Sequence, residues 1–575
     1  MSGNSLNSPE VERLTVLVEE AIRSTESGVK RFIEPAPGTL QQAKNRSHSI
    51  VFGRRGSGKS SLLRKAAADL TVDRRPIAYV DLETFKGHSY PDVLLSVLIK
   101  TFEEFEEWLR TAAVYSATKT SFWKRLSSST PQRPSFNRKE ATQLADSLER
   151  KVEELKEILF SSDESEIQRI KKQEMDKRTQ KEAEVALPLE PVKLGTKIGG
   201  SQTSLKSEEI HESFQSNKKD FLHRHILEYQ SIFRDMVRLS GGDSFLFLDD
   251  LYYIKRSDQA KVIDYFHRIA KNNGLWLKIG TIRHRTDWYV HGDPPYGMKL
   301  GDDAHEINLD LTLEEYSRTK EFLMKVLEGF VKEIGNTEIL DLIVDKAKDR
   351  LVLASGGVAR DFLGIFRRSI IVAQTRGQDF RGPKIGLEDV NSATGAYSST
   401  KKEEFKKDTI DDQEHTSLEE SFQRVRAFCV DVAETNVFLV EPIETNPGYA
   451  VIQELVDLRL VHKVHSRVTV SKRQGKIFEA YMLDVSEYTQ SRKKKRFEEI
   501  MFWGKDRNEK MRKVSLILDT AALVGKQPPA EPKKSHDKAE SGTNASGGKK
   551  SPTAEWVQAD MFGQTETSDQ ISHTF

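Results

Sequence analysis

Ser49-Ile50-Val51-Phe52-Gly53-Arg54-Arg55-Gly56-Ser57-Gly58-Lys59-Ser60-Ser61-Leu62-Leu63 runs from an apolar strand, through a glycine loop, into the start of a helix. The inner stretch Gly53 to Ser60 fits G-x-x-x-x-G-K-[ST] at every position. Glycines let a backbone curl until successive N–H groups converge on an anion, and the helix that follows adds the positive end of its dipole. A lysine at this place reaches the β- and γ-phosphates of a nucleotide, and the hydroxyl after it ligates Mg²⁺. A glycine turn that binds nothing is the bland alternative, but a strand before and a helix after are the setting the phosphate reading requires. The stretch therefore predicts binding of a purine nucleoside triphosphate, ATP, with Mg²⁺. Gly53, Arg54, Arg55, Gly56, Ser57, Gly58, Lys59, Ser60 and Ser61 form the candidate phosphate site, with Ser60 also a candidate metal ligand.

Strand-like runs recur outward from the loop at Pro76–Leu82, Ser244–Leu248, Leu275–Ile282 and Glu306–Leu311. They alternate with helical periodicity, as at Val93, Leu94, Val97 and Leu98. That alternation predicts an α/β fold, a mostly parallel sheet covered by helices. Residues 314–375 read as helix, punctuated by Ser355-Gly356-Gly357. Residues 417–485 read as helix, helix, then two strands around Lys472-Arg473-Gln474-Gly475-Lys476. The stretch 103–240 is charged and poor in strand signals, with a loop-like 127–136, a possible small strand at Lys193–Gly200 and an amphipathic helix over Asn217–Leu239. Leu148, Val152, Leu155 and Leu159 keep 4-3-4 spacing, which fits a short helical pair or coiled coil as well as a solvated helical insertion.

The expected domains follow: 1–30 an N-terminal helix; 31–102 and 241–313 the nucleotide-binding core; 103–240 a helical insertion; 314–410 a helical lid; 411–490 a small α+β domain; 491–525 a C-terminal helix; and 526–575 a disordered tail. Across 575 residues the formal charge is +1, so any nucleic-acid site is a local patch and not a whole-chain polycation. The single cysteine, Cys429, excludes an internal disulfide and a Cys-based zinc site. With no long apolar run and no signal-peptide core in 1–30, the expectation is a cytoplasmic protein without a membrane partner.

Phe245-Leu246-Phe247-Leu248-Asp249-Asp250 is an apolar strand ending in acids, which places a carboxylate beside the metal. Asp249 is the metal-side candidate. Asp250 orients the attacking water, or merely caps the next helix. With these pieces in order, residues 30–400 resemble the AAA+/STAND branch of P-loop ATPases, closest to the Orc/Cdc6-type initiators and related bacterial ATP-binding proteins. The motifs that carry the resemblance are GRRGSGKS at 53–60, FLFLDD at 245–250, KIGTIR at 278–283 and GGVAR at 356–360. It implies that Thr281 senses the γ-phosphate and that Arg360 on a lid helix contacts the phosphates. It also implies that Arg283 or Arg285 reaches a neighbouring subunit of a homo-oligomer, and nothing chooses between those two. The second acid is Asp250 where most AAA+ members have Glu, which implies slow turnover or switch-like binding.

Residues 417–485 resemble the winged helix that follows such cores, with Tyr449–Leu460 as the recognition-type helix and Val468–Met482 as the wing. Lys472, Arg473 and Lys476 at its tip suit phosphate contacts on DNA, and Arg492-Lys493-Lys494-Lys495-Arg496 adds a second basic cluster; solvated charge or a protein contact is the competing account. In the tail, Gln558, Met561 and Phe562 resemble the anchors of a sliding-clamp-binding peptide, against a segment that docks on its own chain. The functions implied are an ATP-controlled DNA-associated switch in replication, repair, mobile-element or defence biology; a STAND-type ATPase of bacterial anti-phage immunity with a separate effector; or an ATPase regulator of transposition.

Overall fold

The apolar runs become five strands: β1 (Ser49–Phe52), β2 (Ile77–Asp81), β3 (Ser244–Asp249), β4 (Leu275–Thr281) and β5 (His305–Asn308). They form one all-parallel sheet in the order β2-β3-β4-β1-β5. The structure is a computed structural model that describes residues 6–22, 31–72, 75–115, 137–160, 201–376, 382–408, 412–489, 496–504 and 507–523. The loop 127–136, the strand expected at Lys193–Gly200, Arg492 to Lys495 and the tail with Gln558, Met561 and Phe562 lie outside these residues. Because β4 inserts between β1 and β3, the carboxyl ends of those three strands open side by side. In open parallel sheets, ligands settle in such a crevice.

Among the described residues the longer helices position the rest: α1 (Pro9–Ala21), α2 (Lys59–Val72), α3 (Asp92–Tyr115), α4 (Arg138–Phe160), α5 (Ser201–Ser240), α6 (Arg256–Ala270), α7 (Tyr316–Ile334), α8 (Asp345–Ser355), α9 (Ala359–Thr375), α10 (Leu387–Asp408), α11 (Asp412–Ala427) and α12 (Pro447–Asp457). On one face of the sheet, Val51, Phe245, Phe247 and Ile307 pack on Leu62, Leu63 and Ala66 of α2. On the other, Ile50, Val80, Leu246 and Leu277 join Val97 and Phe102 of α3 and Ile263 and Phe266 of α6. Burial on both faces is why these strands read as unbroken apolar runs.

The inserted region shares that second core. Leu148, Val152 and Leu155 of α4 and Tyr229 and Phe233 of α5 belong to the same cluster as the sheet. Helix α3 runs through residues 102 and 103 without a break, because its apolar face continues to Phe105 and Leu109. The 4-3-4 stripe thus faces the body of the protein.

Helices α1 and α7 to α10 form a lid. Helix α1 starts at the Ser8 cap with Pro9 at its first position and buries Val11, Leu14 and Val18. Helix α7 ends at Gly335 and α8 at Gly356, both left-handed, as αL caps require. Beyond the lid, β6 (Val437–Val440), β7 (Val461–Thr469) and β8 (Ile477–Leu483) form an antiparallel sheet in the order β6-β8-β7 beside α11 and α12. The continuous helix expected over 491–525 is not what forms: among the described residues there is a short helix, Arg507–Met511, and two 3₁₀ turns. The reason is tertiary, since Leu518 N donates to Leu439 O of β6 at 2.8 Å and ties this segment to the sheet. Among the described residues no helix is long and apolar enough to cross a membrane.

Candidate functional site

The loop after β1 turns through Gly56 (φ +83°) and Gly58 (φ +101°), values that exclude most side chains, and α2 begins at Lys59. Gly53 N donates to Thr281 O at 3.2 Å, anchoring the loop to β4. The Lys59 ammonium is buried and donates to Gly53 O at 3.0 Å and Arg54 O at 3.4 Å; it lies 3.9 Å from Asp250 Oδ1.

Strand β3 ends in register with β2, Asp249 beside Asp81. The Asp249 carboxylate is held at both oxygens: Asp250 N donates to Oδ1 at 3.0 Å and the Tyr79 hydroxyl to Oδ2 at 2.5 Å. Asp250 adopts the left-handed conformation (φ +56°), and its side chain makes no capping bond to the turn that follows. Burial, and then repulsion from Asp249, push its carboxyl up to about 7 against the opposing pull of Lys59. Burial beside Asp249 raises the Tyr79 phenol far above its ordinary value, so its proton stays available to donate.

The lid closes this region from the other side. Arg360 N donates to Gly56 O at 3.3 Å, and a Cβ at Gly56 would come 2.7 Å from Arg360 Cβ, so only glycine permits the approach. Together these groups line a cavity of about 300 Å³ whose walls include Arg55, Gly56 to Ser61, Asp249, Asp250 and Arg360. Part of its remaining wall is apolar, formed by Phe32, Ile33, Leu309, Phe322, Val326 and Phe330, with Arg31 beside them. The motifs do not reveal that wall, since its members come from three distant segments and each reads as ordinary core. Arg64, Asp81 and Glu83 also line the cavity and belong to no motif.

Gly53 does not line the cavity, and four expected side chains lie elsewhere. The Arg54 side chain is buried away from the cavity, where it meets Asp310 Oδ1 at 3.2 Å, Leu311 O at 2.9 Å and Gly356 O at 3.1 Å. The Thr281 hydroxyl pairs with Thr286 at 2.5 Å. Arg283 sits 4.1 Å over the Phe52 ring and pairs with Glu306. Arg285 is buried with Glu414 at 3.4 Å. Lys472 and Arg473 are exposed at the hairpin tip, and Lys476 beside them reaches Glu441 at 2.8 Å.

The all-parallel sheet, the glycine loop after its β1 strand and the carboxylates at the end of β3 are consistent with the α/β fold of P-loop ATPases. No protein-family model and no curated protein matches the chain. Solved structures similar to it include a Walker-type ATPase of Pyrococcus abyssi, with 12% identity over 79% of this chain and 94% of that one at a TM-score of 0.35. The Aeropyrum pernix ORC1 protein in complex with DNA has 14% identity over 85% and 93% at 0.28. The ORC2 protein of the same organism, as ADPNP–ADP complexes, has 9% over 84% and 93% at 0.31. Superpositions this loose say nothing of activity.

Proposed function

We propose that the chain is an AAA+-type ATPase that binds ATP with Mg²⁺, hydrolyses it slowly and works as a molecular switch. One observation carries the reading: Lys59, Ser60, Asp249, Asp250 and Arg360, drawn from core and lid, line one cavity beside an apolar wall that suits a purine. Lys59 meets the β- and γ-phosphates, the loop amides and the α2 dipole hold the polyphosphate, and Arg360 brings lid charge to the same groups. Ser60 and Asp249 offer the hard oxygen donors that Mg²⁺ prefers, and they would hold it. When bound, the cation neutralises charge between phosphate oxygens. Asp250, next to Asp249 at the same strand end and lining the same cavity, would orient the attacking water.

Calorimetry with Mg-ATP on the intact protein tests this. The wild type binds, and Lys59→Ala weakens binding by about a hundredfold, since it removes a charge-assisted contact to each of two phosphates. Equal affinity in the variant removes the site.

For the C-terminal module the proposal is a winged helix that meets DNA through its tip residues Lys472, Arg473 and Lys476. The geometry favours the tip over α12, which carries no Lys or Arg in Pro447–Asp457. Its acids turn toward the core instead: Asp457 accepts from His284 N at 3.0 Å, and Glu454 lies 3.6 Å from Arg256. That same observation supports the second reading, a STAND-type signalling ATPase whose module senses protein and whose nucleotide governs homo-oligomerisation. In an oligomer, Arg283 is the better placed of the two arginines, because it reaches the surface while Arg285 is buried against α11.

A further inference from the structure

We propose that Tyr79, on β2 and outside every motif, is a positioning residue that fixes the Asp249 carboxylate for the divalent cation accompanying the nucleotide. The proposal rests on the nucleotide reading of the Gly53–Ser60 loop and adds to it a residue that no motif includes.

Parallel pairing sets Tyr79 beside Phe247 and Asp81 beside Asp249, so Tyr79 lies one two-residue step short of the acid. Its hydroxyl spans that step and donates to Asp249 Oδ2 at 2.5 Å. The other oxygen is fixed by Asp250 N at 3.0 Å. With one donor on each oxygen the carboxylate cannot rotate, yet each oxygen keeps a free lone pair for a ligand. A partner that orients a metal-binding carboxylate in this way removes an ordering cost from cation binding.

Two features show that the arrangement is built around the carboxylate. A Cβ at Gly280 on the neighbouring strand would come 2.7 Å from Asp249 Oδ1, so glycine leaves the room that this oxygen occupies. The Tyr79 ring is held independently of its hydroxyl, stacked on Phe247 at 6.1 Å and capped by the Arg64 guanidinium at 4.6 Å. Phenylalanine would fill the same space, so the hydroxyl is the part whose loss the site would feel.

The test uses a fluorescent ATP analogue on the intact protein, titrated with Mg²⁺ and separately in EDTA. Tyr79→Phe raises the Mg²⁺ concentration for half-maximal enhancement of binding about tenfold, the usual loss on removing an outer partner of a metal ligand. Affinity in EDTA stays within about twofold, because no phosphate contact is lost. Phe247→Leu disturbs the ring stacking and leaves the hydroxyl, so its Mg²⁺ midpoint stays near that of the wild type. An unchanged midpoint in Tyr79→Phe overturns the proposal, as does an equal shift in Phe247→Leu, which would make the role one of packing. A wild type that binds the analogue in neither condition overturns the nucleotide reading itself.

Discussion

Lys401→Met should be among the most damaging single changes away from the cavity at the Gly53–Ser60 loop. The Lys401 ammonium is buried, donates to Asp484 Oδ2 at 2.6 Å and Ala354 O at 3.2 Å, and lies 3.7 Å from Asp361 Oδ2. Arg459, equally buried, pairs with Asp361 at 2.7 Å and Glu404 at 2.5 Å. His462 meets Asp484 at 2.9 Å, and burial lowers its pKa so that it stays neutral. Two cations therefore face three carboxylates, and methionine leaves one cation facing all three. Breaking a buried pair by removing one partner costs about 3–5 kcal/mol, mostly because the remaining charge is stranded. Burial pushes the Asp484 carboxyl up, but the Lys401 charge and the contacts from His462 and Lys401 together outweigh it and hold the group well below the usual carboxylate range. A carboxylate with a depressed folded pKa contributes stability above its unfolded value of about 4, lost only as pH falls through the folded value. Without Lys401, burial dominates, and the folded variant takes up a proton at Asp484 or His462 before the unfolded chain does. The penalty should thus be full near pH 8 and clearly smaller near pH 5. Hydrogen exchange of α10 and β8 amides, with urea unfolding at both pH values, reads it locally in a chain too large for one two-state transition. Lys401→Met combined with Asp484→Asn should cost less than Lys401→Met alone. A penalty under about 1 kcal/mol, or one equal at both pH values, refutes the buried network.

Asp250→Asn should lower ATP turnover by about 10²–10⁴-fold, with ATP affinity nearly unchanged, measured by phosphate release and calorimetry. Neutralising Lys472, Arg473 and Lys476 together should flatten the slope of log affinity for duplex DNA against log salt by up to about 2.7; an unchanged slope denies the tip a DNA role. Gly356→Ala should destabilise by at least about 2 kcal/mol in thermal melts, since its Cβ would meet the His462 ring at 2.1 Å in a left-handed backbone (φ +57°).

What the sequence disclosed and what it hid divide along physical lines. The glycine loop is legible because its turn needs glycine at fixed places, Gly56 and Gly58 in the left-handed region, and the strands because burial on both faces erases polar alternation. The apolar wall is not legible: Phe32, Leu309 and Phe322 meet only through folding, and nothing local distinguishes them from core. Arg54 misleads for a related reason. Its place in the motif says that its backbone borders the phosphates, while its side chain answers to Asp310 and two carbonyls behind the loop. The helix expected over 491–525 lost to a backbone bond with β6, a competition that local propensity cannot register. The boundary at residue 103 reflected a change in surface charge along α3, whose buried face does not change.

The distribution of apolar contacts says which parts can move together. The lid helices, α1 and the C-terminal sheet share one continuous core in which Phe362, Phe366, Phe405, Phe422 and Tyr481 all take part. The five-stranded parallel sheet has cores of its own. Many of the contacts across the seam between the two bodies are polar: Arg54 to Gly356 O, Arg360 N to Gly56 O, His284 to Asp457, and Arg285 to Glu414. Apolar cores resist shear, whereas hydrogen bonds and ion pairs exchange partners at modest net cost. Two of these contacts, through Arg54 and Gly56, belong to the phosphate loop itself. On the proposed reading, a change in that loop with nucleotide would act on a lid and C-terminal sheet that share one apolar core, and the hairpin tip would follow the lid.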